Sequence, residues 1–280
     1  MAEITIGKED FLKFREFFYR KTGILFDDSK RYFVDRRLIE RIEATDSGSF
    51  RNYFMMLRFE VSGSEVQTLT NLMTVNETYF FREEYQFKCL VNSMLPELVK
   101  HKKDDAPIRI WSVPSSSGEE PYSIAMYLLE FWPGIHEWDV EIISSDIDTD
   151  ILSLARRGCY SSRSVQHLPK SLLEKYFRKE KGEYLICDEL KEAVEFTRVN
   201  LMNAADVRGY RDFDVIFCRN LLIYFDDLSR RQAADTFFDA LRPGGFLCLG
   251  HSESMSRISS LYKARKFPET VVYQKSPEGR

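Results

Sequence analysis

The sequence has few cysteines and no long apolar run. None of its hydrophobic stretches approaches the about 18 consecutive residues that a membrane-spanning helix needs. The first ten residues, MAEITIGKED, lack the apolar core of a signal peptide. The five cysteines are scattered and never form a C-x-x-C pair. This usage argues against a disulfide framework or a zinc site, and it predicts a protein of the reducing cytoplasm.

The chain also lacks an excess of charge of either sign. Its 40 Lys and Arg residues face 44 Asp and Glu residues, which leaves a formal net charge of −4. A basic surface covering the whole molecule, of the kind that binds nucleic acid, is therefore excluded. The 280 residues and their 44% hydrophobic content predict two globular domains or one large α/β domain.

The first part of the chain has the periodicity of amphipathic helices. Apolar residues recur at helical spacing over residues 8–20, 29–42, 49–59 and 65–73, and a further helix is predicted over 84–100. The helix at 29–42 is the most basic of these, because it carries four arginines against Asp35 and Glu40. Such a helix favours either contact with an acidic partner or a solvated face with internal ion pairs.

Short apolar runs alternate with helical patterns after Pro107. Strands are predicted at 108–113, 140–144, 195–199, 214–217 and 246–249, with helices at 119–131, 150–157 and 228–241 between some of them. This alternation is typical of a parallel sheet covered on both faces. In such sheets ligands bind beyond the carboxyl ends of the strands, which is where polar residues with a functional role are expected.

Two stretches depart from the alternation. Residues 184–187 and 193–197 are predicted as strands on either side of a charged turn, which indicates a small β insertion at the edge of the sheet. Residues 262–267 and 270–274 flank Pro268 and Glu269 and are predicted to form an antiparallel hairpin. An antiparallel edge on a parallel sheet is common.

The loop after the first strand has the sequence SSSGEE and does not suit a phosphate. A dinucleotide fold needs the glycines of G-x-G-x-x-G at this point, whereas this loop has one glycine followed by Glu119 and Glu120. Two carboxylates repel phosphate and attract a ligand with positive charge. A serine turn with a helix-capping acid is the alternative interpretation.

The acid after the second strand, Asp146, is placed where a carboxylate commonly binds a ribose, although a helix cap is the alternative. The spacing of Asp146, Asp148 and Asp150 resembles part of a calcium loop, but the glycine and the final glutamate of that motif are missing, so no metal is predicted. Polar residues also follow the third and fourth strands. A nucleoside with a cationic group and no phosphate, such as S-adenosylmethionine, would satisfy all of these positions.

Five segments identify a family resemblance: NETYFFRE (76–83), IRIWSVPSSSGEEPYSIAM (108–126), SDIDTDIL (145–152), FDVIFCRNLLIYFD (213–226) and GHSES (250–254). In this order they resemble the chemotaxis receptor glutamate methyltransferases, the CheR family, over residues 8–275. The resemblance implies an α/β fold, namely a Rossmann-like S-adenosylmethionine-dependent methyltransferase domain preceded by an all-α N-terminal domain. It places the substrate-recognition domain at 1–75, a linker with cofactor contacts at 76–90, and the cofactor-binding domain at 91–280 with a β-subdomain inserted at about 159–195.

The resemblance also implies roles for individual residues. Arg82 and Tyr224 would lie at the transferred methyl group as catalytic residues. The cofactor, whose product is S-adenosylhomocysteine, would contact Asn76, Thr78, Arg82, Glu120, Asp146, Asn200, Leu201, Arg219 and Asn220. The acidic methylation helices of the receptor would be recognised by the arginines of the basic helix, Arg31, Arg36, Arg37 and Arg41.

The partner implied by the resemblance is a set of chemoreceptor cytoplasmic helices. The protein is also predicted to be a monomer that binds no nucleic acid and does not insert into the membrane. Some family members also grip a receptor C-terminal pentapeptide, and those have a longer, glycine-containing loop between the subdomain strands. The corresponding stretch here, residues 178–183, is short, so independence from a pentapeptide is predicted.

Three other functions compete with this interpretation. The first is a cofactor-binding signalling scaffold without catalysis, and the second is a nucleic-acid methyltransferase, which the acidic composition and the sequence RNLLIYF disfavour. The third, an NAD-dependent oxidoreductase, is disfavoured by the missing phosphate-binding glycines.

Overall fold

The N-terminal part of the chain is a helical domain, as predicted. A computed structural model describes residues 4–102 and 106–277. The helices of this domain are α1 Lys8–Thr22, α2 Arg31–Ala44, α3 Phe50–Phe59 and α4 Ser64–Met73. Their apolar faces meet in one core, in which Phe14, Phe18, Val34, Leu38 and Tyr53 are fully buried. The 3.6-residue spacing of the apolar residues therefore predicted both the helices and the faces that they bury.

The rest of the chain alternates strands and helices. The strands of the described residues are β1 Ile108–Ser112, β2 Val140–Asp146, β3 Cys159–Tyr160, β4 Phe177–Glu180, β5 Glu183–Ile186, β6 Val194–Arg198, β7 Phe213–Cys218, β8 Leu241–Leu249, β9 Tyr262–Lys266 and β10 Val271–Lys275. The helices are α5 Tyr85–Cys89, α6 Leu95–Val99, α7 Glu119–Phe131, α8 Thr149–Arg157, α9 Ser162–Val165, α10 Lys170–Tyr176, α11 Asp188–Glu192, α12 Ala204–Val207 and α13 Asp227–Ala240.

Seven of the described strands form the main sheet, in the order β6-β2-β1-β7-β8-β10-β9. The first five are parallel, and β10 and β9 extend the sheet as the predicted antiparallel hairpin. Alternate residues of β1 enter different cores: Ile110 packs on the side of α7, whereas Trp111 packs on the side of α13. The carboxyl ends of β1, β2 and β7 consequently lie side by side at one edge, where the sequence predicts the ligand.

Strands β3, β4 and β5 form a separate small antiparallel sheet in the order β3-β5-β4. The prediction that residues 193–197 pair around the charged turn is wrong. Residues 194–198 form β6, which pairs in parallel with β2. Strand β5 pairs instead with residues 177–180 across the turn and with β3 on its other side. That strand, FRKE, was missed because only Phe177 is buried and the segment has no alternating apolar pattern.

The helix predicted over 84–100 is continuous but not regular. A π-helical segment, Leu90–Met94, separates α5 from α6. No residue of the sequence LVNSM marks the change to i→i+5 hydrogen bonds, so the sequence did not predict this segment. Among the described residues, none of the helices is both long and apolar enough to cross a membrane.

Candidate functional site

A cavity of about 530 Å³ lies where the carboxyl ends of the parallel strands face the helical domain. Its lining comes from three parts of the chain: the segment between α1 and α2, the linker that follows α4, and the loops after β1, β2 and β7. This volume falls within the range of about 300–1,000 Å³ that is usual for small-molecule sites. The predicted linker thus forms one wall of the cavity.

The inner end of the cavity holds a buried guanidinium between two carboxylates. Arg219 donates from Nη1 to Glu120 Oε2 at 2.8 Å and lies 3.4 Å from Glu83 Oε2, and its Nη2 donates to the Arg82 carbonyl at 2.6 Å. Burial raises the pKa of Glu120, and Arg219 and a hydrogen bond from Ser112 oppose that rise. Burial also acts to raise the pKa of Glu83, but Arg219 and His251 outweigh it and lower the pKa.

This arrangement has chemical consequences for a ligand. Arg219 is shared between Glu120, which lines the cavity, and Glu83, which lies behind Arg219 and does not line it. With both acids ionised, one guanidinium does not neutralise both, and the surplus negative charge favours a cationic group in the cavity. The Nε atom of Arg219 is buried and has no hydrogen-bond partner among the described residues. An unpaired buried donor is costly, so a bound ligand that accepts from it gains affinity.

Asp146 ends β2 beside the loop that follows β1. Its Oδ2 accepts from Ser116 N at 2.9 Å, and its Oδ1 accepts from Asp148 N at 3.0 Å. Burial raises the pKa of Asp146 to about 6, against the lowering effect of these backbone hydrogen bonds. Ser116 has a positive φ of 47°, and its buried hydroxyl has no partner among the described residues. Both side chains line the cavity and are placed to bind hydroxyl groups.

Arg82 and Tyr224 both line the cavity, and their place at the transferred methyl group stays a prediction. Arg82 donates to the Glu77 carbonyl at 2.8 Å, and its guanidinium lies 5.9 Å from the centre of the Tyr79 ring. Burial raises the pKa of the Tyr224 phenol, whereas the charge of Arg82 acts to lower it. The two side chains therefore interact electrostatically, and the phenol is a hydrogen-bond donor at neutral pH.

The linker carries two more of the predicted residues into the cavity, Asn76 and Thr78. Asn76 Nδ2 donates to Asp148 Oδ2 at 3.0 Å, and Thr74 Oγ1 donates to the same oxygen at 2.6 Å. The other oxygen of Asp148 caps α8 by accepting from the backbone of residues 150 and 151. This carboxylate fixes the linker to the cofactor-binding domain.

Asn200 and Leu201 are not among the residues that line the cavity. The Asn200 amide donates to the Lys21 carbonyl at 2.6 Å, and its oxygen accepts from Met202 N at 3.0 Å. Leu201 is buried in the core beside α13. The structure therefore gives Asn200 a role in joining the two domains, and its predicted cofactor contact stays a prediction.

The four arginines of α2 do not form one free basic surface. Arg41 donates to both oxygens of Glu65 at 2.8 and 2.7 Å, Arg37 donates to the Leu72 carbonyl at 2.7 Å, and Arg31 donates to Asp35 and to the Ile6 carbonyl. Arg36 is exposed. Three of the four predicted receptor-binding arginines therefore make contacts inside the domain, and the receptor-binding role of the four stays a prediction.

Sequence reasoning missed several residues of the site. Lys30 and the exposed side chain of Leu25 reach the cavity from the segment between α1 and α2, which was assigned only to the helical domain as a whole. Glu83 contacts Arg219 although it stands next to Arg82 in the segment NETYFFRE. The signal available for Glu83 was that segment itself, whereas nothing local in the sequence places Lys30 at the site.

Comparison with known proteins covers most of the chain. Residues 9–74 match the model described as "CheR methyltransferase, all-alpha domain", and residues 76–271 match "CheR methyltransferase, SAM binding domain". The chain belongs to the CheR methyltransferase family. Its cofactor is S-adenosylmethionine, and the cationic preference, the volume and the unpaired Arg219 and Ser116 atoms of the cavity fit that molecule.

Three curated relatives agree with this assignment. "Chemotaxis protein methyltransferase 2" of Vibrio cholerae is 54% identical, over 100% of this chain and 97% of its own length. "Chemotaxis protein methyltransferase 2" of Pseudomonas aeruginosa is 38% identical, over 94% and 92%. "Chemotaxis protein methyltransferase" of Salmonella typhimurium is 35% identical, over 94% and 89%. The CheR protein described here is thus a S-adenosylmethionine-dependent methyltransferase of chemotaxis.

Proposed function

We propose that this CheR protein methylates glutamate side chains on the cytoplasmic helices of a chemoreceptor, forming methyl esters. The observation that supports this most directly is the placement of Arg82 and Tyr224 in a cavity whose inner end is anionic. A cationic methyl donor is attracted to the inner end, and an incoming carboxylate meets a guanidinium and a phenol. Receptor binding and residence in the cytoplasm belong to the same proposal.

The cofactor contacts follow from the cavity lining. Glu120 would bind the amino acid part of the cofactor, and Asp146 would bind its ribose. The linker residues Asn76 and Thr78 would contact the cofactor from the opposite wall of the cavity. Arg219 and Asn220 would lie beside these residues. When bound, S-adenosylmethionine supplies a methyl group on a positively charged sulfur, and S-adenosylhomocysteine remains after the transfer.

The catalytic task of the protein is orientation and desolvation rather than proton transfer. A glutamate side chain has a pKa of about 4.3 and is ionised at neutral pH, so it needs no general base. Arg82 orients the target carboxylate, and Tyr224 donates a hydrogen bond beside it. The guanidinium keeps its proton at any accessible pH, which limits Arg82 to charge and hydrogen bonding. Rate acceleration comes from alignment and from the removal of water.

The experiment that tests the reaction uses a methyl-labelled donor and the cytoplasmic fragment of the receptor. Transfer that alkali releases as methanol, and that is lost when the target glutamates are replaced by alanine, supports ester formation. Binding of S-adenosylhomocysteine without any transfer would support the signalling scaffold instead.

The catalytic pair is tested by R82A and Y224F. We expect each variant to lower kcat by about ten- to a hundredfold, because each removes a group that aligns the carboxylate. The matched control is Y184F in the small β-sheet, whose ring lies outside the cavity lining. Variants that bind cofactor and methylate the receptor at the wild-type rate would contradict the roles given to Arg82 and Tyr224.

The proposal includes independence from a receptor C-terminal pentapeptide. Strands β4 and β5 are joined by only two residues, Lys181 and Gly182, with φ of 49° and 87°. Positive φ at both positions is typical of the tight type I′ hairpin turn, which leaves no loop to close over a peptide. Titration of the protein with the C-terminal peptide of its receptor should give no binding, and a micromolar Kd would refute this part.

A further inference from the structure

Apart from the contact of His251 with Glu83, the segment GHSES at 250–254 has no role in the function described so far. It follows β8 and lies beside the loop that connects β7 to α13, which carries Arg219, Asn220 and Tyr224. Glu253, the fourth residue of the segment, does not line the cavity. Its side chain nevertheless accepts hydrogen bonds from two backbone N–H groups of this loop.

The Glu253 carboxylate accepts three backbone N–H groups. Its Oε2 accepts from Asn220 and from Gly250, both at 2.9 Å, and its Oε1 accepts from Leu222 at 2.8 Å. Two of these donors belong to the loop that follows β7. Hydrogen bonds to an ionised group are about twice as strong as those between neutral groups, so this contact is a strong constraint on the loop.

The constraint acts at a strained point of the backbone. Asn220 has a positive φ of 58°, which lies in the left-handed region that is unfavourable for a non-glycine residue. Gly250 allows the close approach, because a Cβ on it would lie 2.9 Å from both Asn220 Nδ2 and Glu253 Oε2. The left-handed residue is thus held directly by the glutamate and is packed against a glycine.

The same loop is anchored at its other end. The Tyr224 carbonyl accepts from Leu25 N at 3.3 Å, and the Leu222 carbonyl accepts from Arg230 Nε at 2.9 Å. These contacts fix the loop after Leu222 but do not involve Asn220. Of the contacts described, those from Glu253 are the ones that fix the backbone N–H groups of Asn220 and Leu222.

We propose that Glu253 is a positioning residue, which sets the backbone of residues 220–222 and thereby the placement of Asn220 and Tyr224 in the cavity. It touches neither cofactor nor substrate and acts through the loop. Its effect on methyl transfer rests on the proposed function, whereas its effect on the loop itself does not.

The test compares E253Q with a matched control, E97Q. In E253Q one acceptor oxygen becomes an amide that donates, so at least one backbone N–H loses its partner. We expect the amide hydrogens of residues 220 and 222 to exchange about ten- to a hundredfold faster, in line with the cost of an unpaired buried donor. Because a displacement of about 1 Å costs up to 10²-fold in rate, kcat should fall at least tenfold while the KM for the receptor changes less than about threefold.

Two further variants separate positioning from general damage. Glu97 is also a half-buried carboxylate that accepts from Arg265 and Gln274, but it lies outside the cavity, so E97Q should keep the wild-type kcat and the wild-type exchange at residues 220 and 222. E253D retains both oxygens on a shorter side chain and should recover part of the kcat lost in E253Q.

Unchanged amide exchange at residues 220 and 222 in E253Q would overturn the proposal, and so would an equal loss of kcat in E253Q and E97Q. Failure of the proposed function has a different signature. In that case the wild-type protein does not methylate receptor glutamates, but E253Q still accelerates amide exchange in the loop.

Discussion

The carboxylate of Asp146 makes cofactor binding sensitive to pH. It is almost fully buried, and its pKa is raised to about 6. In the proposed complex it accepts from the ribose hydroxyls, which requires the ionised form. As pH falls below about 6 the free protein binds a proton that the cofactor must displace, so the Kd for S-adenosylhomocysteine should rise, approaching tenfold per pH unit.

Isothermal titration between pH 5 and pH 8 checks this. D146N should bind more weakly at pH 8 and should lose the transition near pH 6. D150N, which changes an exposed acid in the first turn of α8, should keep the wild-type profile. A transition near pH 6 that persists in D146N would assign it to a group other than Asp146 and contradict the prediction.

Gly23, which follows helix α1, both ends that helix and lies at the contact between the two domains. Gly23 has a φ of 75°, and a Cβ there would lie 2.7 Å from Met202 Cγ. Gly48, after α2, has a φ of 68° but nothing within 4 Å of such a Cβ. G48A should therefore lose about 1 kcal/mol of unfolding free energy from backbone strain alone, and G23A about 2 kcal/mol.

Urea denaturation of the two variants measures the difference. The extra loss in G23A is the cost of moving Met202, because the backbone strain is common to both glycines. Equal losses would mean that Met202 shifts without cost and that the two domains are less tightly fitted than their contacts indicate.

Helix α2 combines a structural arginine with an exposed one. Arg41 pairs with Glu65, which also accepts from the buried Tyr53 hydroxyl at 2.7 Å. R41A should cost about 2–3 kcal/mol of unfolding free energy, because it leaves Glu65 partly buried without its cation. R36E should leave stability within about 0.5 kcal/mol of wild type but lower kcat/KM for the receptor about three- to tenfold.

Steady-state kinetics at two salt concentrations check the R36E prediction, since the loss should shrink as salt screens the charge. Wild-type kcat/KM in R36E at low salt would remove α2 from the receptor-binding surface. The R41A prediction is separate, and its measure is the denaturation midpoint alone.

The sequence predicted these elements better than it predicted their contacts. Central strands of the parallel sheet were recognisable because they are short, mostly apolar and buried runs, as in β7, where every residue is buried. The exposed strand β4 and the π-helical segment carry no such signal. The arginines of α2 were visible as charge, but Glu65 is 24 residues from Arg41 in sequence, and no local pattern reveals that pairing.

The same limit applies to the site. Residues that follow strands, such as Asp146 and Arg219, reach the cavity because parallel topology brings those strand ends together. Asn200 also follows a strand of the parallel sheet, but it does not line the cavity. Its amide donates to the Lys21 carbonyl instead, because the helical domain packs against that strand end. The strand pattern of the cofactor-binding domain does not reveal where the helical domain packs against it.

The cavity makes the two domains one binding unit, since both line it. S-adenosylhomocysteine at a hundred times its Kd should raise the free energy of unfolding by about 2.7 kcal/mol. The three tryptophans, Trp111, Trp132 and Trp138, report only on the cofactor-binding domain, whereas circular dichroism also reports on the N-terminal helices. The unfolding midpoints measured by fluorescence and by circular dichroism should shift together on ligand binding. A shift of the fluorescence midpoint alone would show that the domains unfold separately.

The hydrogen bonds of both Asp148 oxygens determine where a chimaera of this protein and a relative should be joined. One of its oxygens caps α8 and the other accepts from Thr74 and Asn76, so the linker belongs mechanically to the cofactor-binding domain. A chimaera meant to change receptor choice should therefore join the foreign helical domain after Met73. The grafted domain should also keep a glycine at position 23 and the backbone conformation that places the carbonyl of residue 21 within reach of the Asn200 amide.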